Sequence, residues 1–453
     1  MIRHAFAAAA LLASAPLAAQ TVSQEDLQAR YDRALAAGYK SLFLCGAMAS
    51  DPSGLRRTER SVEEYELTGI YGALDPMVRE LEYRIERGTD GMIDYVATDW
   101  AEDMLPRVAE YRVDTGCALL PIGASLPTTE VVRGMRIDRV GDPTVYPLEE
   151  QLVPRVRQAA EQALGDTYGE GTRTTAVLIR QGDVTKGKAF AAGFDANSTQ
   201  RTWSVAKSLA ATLVGAAVQR GAADVSQSAG LGLGDSDPRR AITIDHALRM
   251  ASGRYSDTPG NRTDPLYMGG TTVAESALDW PLLNPPGTVY RYANNDTLAA
   301  VKAIDGYLAE NPPISLFERL GMHSTKAETD WRGDYILSSQ VWTSAADLAR
   351  FGQLYLNDGM SRGTRVLPEG WLEYVSAPSG PQPENGFGYG AGFWLFNDHE
   401  GIPADTIAAM GNRGQYVVIV PSINTVIVRR GEDPVGSRFD IVAFTRDVLE
   451  TLR

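Results

Sequence analysis

The sequence predicts an α+β chain in two parts: a large antiparallel sheet flanked by helices, preceded by a smaller α+β unit. Three observations carry this. Two hairpin-like stretches bracket the larger part, "TAVLIRQGDVTKGKAFAAG" (175–193) and "YVVIVPSINTVIVRRG" (416–431). The chain between them reads mostly as helices, so strands from both ends must meet in one sheet with helices packed beside it. In the smaller part, apolar and charged residues alternate on both sides of Gly88-Thr89-Asp90-Gly91, the signature of a hairpin with one wet face.

In chain order, Ser23-Gln24-Glu25-Asp26 starts a helix that Gly38 stops. Ser61, with Glu64 completing a capping box, starts another. Leu81, Tyr83 and Ile85, then Ile93, Tyr95 and Ala97, form the hairpin, and "AEYRV" (109–113) gives a third strand leading into Cys117. Residues 20–145 thus form a small α+β domain, and "VGDPTVYP" (140–147) links it to a second domain, 155–453. There, Pro154 opens a helix that ends before Gly165. Gln181-Gly182 turns the first hairpin, and Gly221 sits where a helix C-cap glycine belongs. Thr243 caps a short helix, Thr343 or Ser344 a longer one. Pro421 to Asn424 join the last two strands.

The 453 residues carry 44% apolar and 22% charged side chains, an ordinary globular balance. A net charge of −14 argues against nucleic-acid binding, which leaves a basic footprint. The start, "MIRHAFAAAALLASAPLAAQ", has a basic end, an apolar run too short to span a bilayer, and small residues before Gln20. It reads as a secretory signal over 1–19, which places the mature protein in the periplasm or outside the cell, without an integral membrane span. Cys45 and Cys117 are the only cysteines. An exported compartment permits them to pair, and two buried free thiols are the alternative. Two cysteines and four scattered histidines offer no metal-ligand spacing.

The chemistry concentrates in "RTWSVAKSLAATLVGAAVQRG" (201–221). Between Trp203 and Val218 its one charge is Lys207, three residues after Ser204. On a helix, positions i and i+3 share a face. A lysine among apolar neighbours loses hydration, which lowers its pKa and fits it to activate a serine. Ser-x-x-Lys is a catalytic pattern for that reason. The chain has six lysines, and only this one follows a serine at that spacing.

Trp203-Ser204-Val205-Ala206-Lys207-Ser208 resembles the nucleophile helix of the serine β-lactamase and penicillin-binding-protein superfamily, and most of all its class C-like branch of esterases, amidases and 6-aminohexanoate-dimer hydrolases. "DPRRAITIDHALRMASG" (237–253), "NPPGTVYRYANND" (284–296), "DLARFGQLYLNDG" (347–359) and "RGQYVVIVPSINTVIVRRG" (413–431) match that branch in order, over about 170–450. The resemblance implies a β-lactamase/transpeptidase-like fold with a helical subdomain, and an acyl-enzyme on Ser204. It implies that Tyr292, of Tyr292-Ala293-Asn294, is a general base whose phenolate Lys207 favours, and that Asn294 bonds Lys207 and the substrate. The third motif falls on Asn412-Arg413-Gly414, where the family usually has Lys or His first; Arg413 stands in as the cation. The two oxyanion-binding amides fall on Ser204 and Gln415. No metal or organic cofactor is implied.

Two other patterns compete. Tyr355-Leu356-Asn357 also fits Tyr-x-Asn but reads as a helix end. "GMSRG" (359–363) fits the Gly-x-Ser-x-Gly elbow, which needs a strand before it and a helix after, whereas here a helix precedes. His246 reads as structural. The sequence therefore predicts an exported serine hydrolase of small esters or amides. A β-lactamase or D-amino-acid-specific peptidase, and a non-catalytic sensor of cell-wall fragments, are the alternatives.

Overall fold

The computed structural model describes residues 21–51, 56–127, 148–256, 263–396 and 399–453. The expected signal, 1–19, and the expected linker, 140–147, lie outside them. Among the described residues no helix is long and apolar enough to cross a membrane.

An eight-stranded sheet organises the larger part. Its order is Gly388–Tyr389, Trp394–Leu395, Ile407–Gly411, Gln415–Val420, Thr425–Gly431, Thr174–Gln181, Val184–Phe190 and Glu149–Glu150. Every neighbouring pair is antiparallel except the last. The first and last hairpins of this part meet at the sheet centre, where Val428 sits opposite Leu178. Central strands are buried on both faces, so they read as continuous β-branched runs rather than alternating ones.

Helices cover both faces. On one, helices Val205–Gln219 and Ala345–Leu356 pack Leu209, Leu213, Leu348 and Phe351 against Val417, Ile419, Val426 and Val428. On the other, Pro154–Gln162 and Ile441–Leu452 bring Val156, Phe444 and Val448 against Val177, Val418 and Ile427. Ser344 caps the second helix by accepting from the Asp347 amide, an interaction worth about 1 kcal/mol. The Gly-x-Ser-x-Gly pattern lies on a small hairpin, Met360–Ser361 against Thr364–Arg365, turned by Arg362 and Gly363 at positive φ. It is no strand-to-helix elbow. Tyr355 and Asn357 end a helix, with the Tyr355 hydroxyl 2.7 Å from Thr212 Oγ1.

The N-terminal part holds helix Gln24–Ala49 against a four-stranded sheet, Tyr83–Arg87, Ile93–Thr98, Arg107–Arg112 and Gly116–Leu119 in sequence order. Three expectations need correction. Gly38 does not stop the helix, which runs on to Ala49; a Cβ there would meet the Met268 carbonyl oxygen at 2.1 Å, so glycine permits a close crossing. Thr58, not Ser61, caps the second helix, Glu59–Tyr65. Strand Ile93–Thr98 is buried throughout rather than wet on one face, because helix Gln24–Ala49 covers it. A disulfide joins Cys45 to Cys117. The core here is shared: Phe43, Leu44 and Val96 pack in one cluster with Leu266, Tyr267, Leu298 and Trp342 of the larger part. This places residues near Tyr71 within reach of the nucleophile helix.

Candidate active site

Ser204 stands immediately before helix Val205–Gln219, so its backbone N–H lies at the helix start, where amides have no intrahelical partner. Trp203 before it has φ +51°, a left-handed conformation that costs a non-glycine residue on the order of 1–3 kcal/mol. Such a kink turns the serine out of the strand Gln200–Arg201 and into a cavity. Arg201 helps hold it: its guanidinium stacks 3.8 Å over the Trp203 ring and donates to the Ser339 carbonyl.

Lys207, 1% exposed, is surrounded by oxygens. Its Nζ lies 3.2 Å from Ser204 Oγ, 2.5 Å from Asn294 Oδ1 and 2.8 Å from the Ser338 carbonyl. Burial, with a smaller push from the Arg201 guanidinium, lowers its pKa to about 7. The charge that looked costly in the sequence is therefore tuned by the cost itself.

Tyr292 and Asn294 enter from the chain leading into helix Asn294–Lys302. The Tyr292 hydroxyl hydrogen-bonds Ser204, and its ring lies 5.0 Å from Lys207 Nζ. Trp394 and Tyr389 pack against that ring. Burial pushes the Tyr292 pKa well up, opposed by the Ser204 bond. The expected phenolate thus meets an unfavourable setting: the phenol keeps its proton, and the lysine is the group poised near neutrality. Asn294 also donates to Thr263 Oγ1 and Tyr267 Oη, and Tyr267 accepts from Ser339.

The third motif is corrected residue by residue. Arg413 is buried and turned away from the cavity. It pairs with Glu432 Oε2 at 2.7 Å and donates to the carbonyls of Tyr65, Glu432 and Asp433. It has no free donor face for a substrate carboxylate. Gly414 packs against Arg429 and Asp433, where a Cβ would collide. Gln415 is fully buried, pairs opposite Gly411 in the hairpin, and its side chain is held by Arg430. Of the motif, only Asn412 lines the cavity. Gly411 does too, and it is the residue against Ser204: a Cβ on it would lie 3.1 Å from the Ser204 nitrogen. The expectation had slipped along the hairpin, because the turn at Asn412–Gly414 sends residue 415 into the neighbouring strand.

His246 completes a capping box with Thr243, accepting from the Thr243 amide at 3.2 Å. The cavity itself has a volume of about 830 Å³. Besides Ser204, Tyr292 and Asn294, it is lined by Tyr71, Asp264 and Trp394. Sequence reading missed Ser338, Thr263 and Asp264, on irregular chain, and Tyr267, on the one-turn helix Pro265–Met268, none of which carries a pattern. Gly411 carried a signal, as the glycine next to the assigned motif.

A serine on a kinked strand-to-helix junction, a desolvated lysine one turn on and a tyrosine from a second segment, all open to one cavity, define a serine hydrolase. The chain belongs to the β-lactamase family, whose profile matches residues 157–437. It is 24% identical over 298 residues to the 6-aminohexanoate-dimer hydrolase of Paenarthrobacter ureafaciens, a match spanning 58% of this chain and 74% of that one. Among solved structures it is similar to a Bacillus anthracis protein provisionally named a 6-aminohexanoate-dimer hydrolase, with a TM-score of 0.55 and 20% identity over 68% of this chain and 87% of that one. A Bacteroides dorei protein provisionally named a β-lactamase matches with a TM-score of 0.51 and 18% identity, over 63% and 94%. These structural likenesses show the β-lactamase/transpeptidase-like fold.

Proposed function

We propose that this protein hydrolyses small esters and linear amides through an acyl-enzyme on Ser204. One observation carries the reading: Lys207 Nζ lies 3.2 Å from Ser204 Oγ with a pKa lowered to about 7. A neutral lysine accepts the Oγ–H proton as Oγ attacks the carbonyl carbon. Negative charge then grows on the carbonyl oxygen, for which the backbone amide of Ser204 at the helix start is a donor. Tyr292 hands its proton to the leaving oxygen or nitrogen as the C–O or C–N bond breaks, and takes one back from the Lys207 ammonium. Water repeats the sequence in reverse and frees the acid.

The relative's name, a hydrolase of the 6-aminohexanoate dimer, supports a linear amide among the substrates. The binding of Arg413 within the protein argues against β-lactam recognition through that motif. The desolvated lysine argues against a non-catalytic sensor, which has no use for a base near neutrality. The N-terminal leader and the Cys45–Cys117 pair support export.

Stopped-flow mixing with a p-nitrophenyl ester tests the reading. A burst of nitrophenolate close to one per active site is expected, absent in Ser204→Ala. Equal turnover by that variant would overturn it.

A further inference from the structure

Lys207 and Arg201 dock on neighbouring carbonyls. Lys207 Nζ donates to the Ser338 oxygen at 2.8 Å, and Arg201 Nε donates to the Ser339 oxygen at 3.2 Å. A second bridge joins them. Arg201 Nη2 reaches Ser339 Oγ at 3.4 Å, and Ser339 Oγ donates to Tyr267 Oη at 2.6 Å. Asn294 then spans from Tyr267 Oη to Lys207 Nζ. Two basic side chains, 2% and 1% exposed, are thus fixed side by side. A like charge so close disfavours the charged form of its neighbour.

A buried guanidinium ordinarily has a carboxylate partner. Among the described residues Arg201 has no ion pair, and its Nη1 has no hydrogen-bond partner. Three aromatic rings hold it instead: Trp203 at 3.8 Å, Tyr267 at 4.6 Å and Phe43 at 4.8 Å from the guanidinium carbon. An aromatic face attracts a cation through its quadrupole but carries no net charge. A carboxylate would cancel the cation's field, whereas rings leave it standing. Phe43 closes this box from helix Gln24–Ala49, far ahead of the matched family stretch that starts at residue 157.

None of the ionisable groups around the box pairs with the guanidinium. Burial keeps the Tyr39 and Tyr71 phenols protonated. It also raises the Asp264 carboxyl to about 6 and the Glu328 carboxyl to about 7. On the Lys207 side the Tyr292 phenol, pushed up by burial, is neutral as well. The charge left acting on Lys207 is that of Arg201, in the same direction as burial.

We propose that Arg201 is a positioning residue for the reaction: an unneutralised cation, held in an aromatic box that the N-terminal helix completes, which keeps Lys207 in its proton-accepting form. It acts through the lysine and takes no part in bond breaking. The proposal rests on the acyl-enzyme reading above and adds what holds the lysine neutral.

The test reads the pre-steady-state burst with p-nitrophenyl acetate from pH 5 to 9.5. In wild type the acylation rate should rise through about 7. In Arg201→Met that limb should move up by about one pH unit, as the loss of a close like charge implies, so acylation slows about tenfold at pH 6 and recovers by pH 9.5. Phe43→Glu leaves Arg201 in place and gives it a carboxylate. It should move the limb in the same direction, and it decides the point where the methionine variant does not fold. Arg201→Lys, which restores a cation, should bring the limb back toward neutrality, and Glu328→Gln should leave it in place. A loss of rate equal at every pH would make the box merely structural and overturn the proposal. So would an unmoved limb in Arg201→Met or Phe43→Glu, or a limb that Glu328→Gln moves. A wild-type burst with unmoved limbs in the variants overturns this inference and leaves the acyl-enzyme intact. No burst in wild type overturns both.

Discussion

Gly411 lies against Ser204 so closely that a Cβ on it would sit 3.1 Å from the Ser204 nitrogen and 2.4 Å from the Thr202 carbonyl oxygen. The glycine keeps open the space beside the nucleophile's own amide, where an oxyanion would bind. Gly411→Ala is expected to lower kcat by about 10²–10³, the usual effect of losing one oxyanion donor. Steady-state kinetics on a p-nitrophenyl ester, beside a melting curve to register any loss of fold, checks this. A full rate in the alanine variant would place the oxyanion elsewhere.

Lys207 makes the second prediction. As a base it works only when neutral, so kcat/KM should rise with pH through about 7 and level off above it. The sign follows from the direction of the shift: burial lowers the lysine from 10.5, so the neutral form dominates above about 7 rather than above 10.5. Lys207→Ala should lose several orders of magnitude while staying folded, and the residual rate should lack that limb. A pH profile between 5 and 9 decides the point.

Tyr292 separates esters from amides. A p-nitrophenolate leaves without a proton, whereas an amine leaves only when protonated. Tyr292→Phe should therefore slow a linear amide at least about 100-fold more than a p-nitrophenyl ester, within the range that general-acid help supplies. If both substrates slow equally, Tyr292 acts on the attack step and the phenolate reading regains support.

These three residues show what the sequence made legible. Ser204 and Lys207 were readable because a helix imposes a fixed spacing and because an isolated charge among alanines and leucines demands a reason. Tyr292 and Asn294 were readable only by resemblance, since Tyr292 sits on irregular chain and Asn294 merely opens a helix, with no spacing that ties either to Ser204. The sheet could be read from its hairpins, and the caps at Ser23, Thr243 and Ser344 from their side chains. Failures fell where the outcome depends on distant chain. Gly38 looked like a helix stop because a close crossing with Met268 is invisible in sequence. Arg413 looked like a substrate cation because its carbonyl partners, 65, 432 and 433, are set by the tertiary fold. Asp264 and Tyr71 had no signal at all, lying nearly two hundred positions apart.

Arg413 yields a prediction about stability. Arg413→Ala leaves Glu432 without its partner at 2.7 Å, in a buried cluster that also holds Glu66 and Arg57. Breaking a buried pair from one side costs about 3–5 kcal/mol. Chemical denaturation should show a loss of that size. Were Arg413 instead a substrate cation, KM would rise for carboxylate-bearing substrates with stability nearly unchanged.

Glu328 offers a pH-dependent counterpart away from the catalytic centre. Its buried carboxyl accepts from the Cys117 amide at 2.9 Å and Gln340 Nε2 at 2.7 Å, beside the disulfide that joins Cys45 to Cys117. Burial raises its pKa from 4.5 to about 7, against the pull of those donors. Between these values the folded state holds a proton that the unfolded state has released. Its contribution to stability is therefore complete below about 4.5 and is lost as pH rises through about 7. A shift of that size corresponds to roughly 3 kcal/mol. Melting temperatures measured across pH 4.5–8 should fall more steeply for wild type than for Glu328→Gln, which cannot titrate. Parallel curves would show that Glu328 keeps an ordinary carboxylate pKa, with its two hydrogen-bond donors outweighing burial.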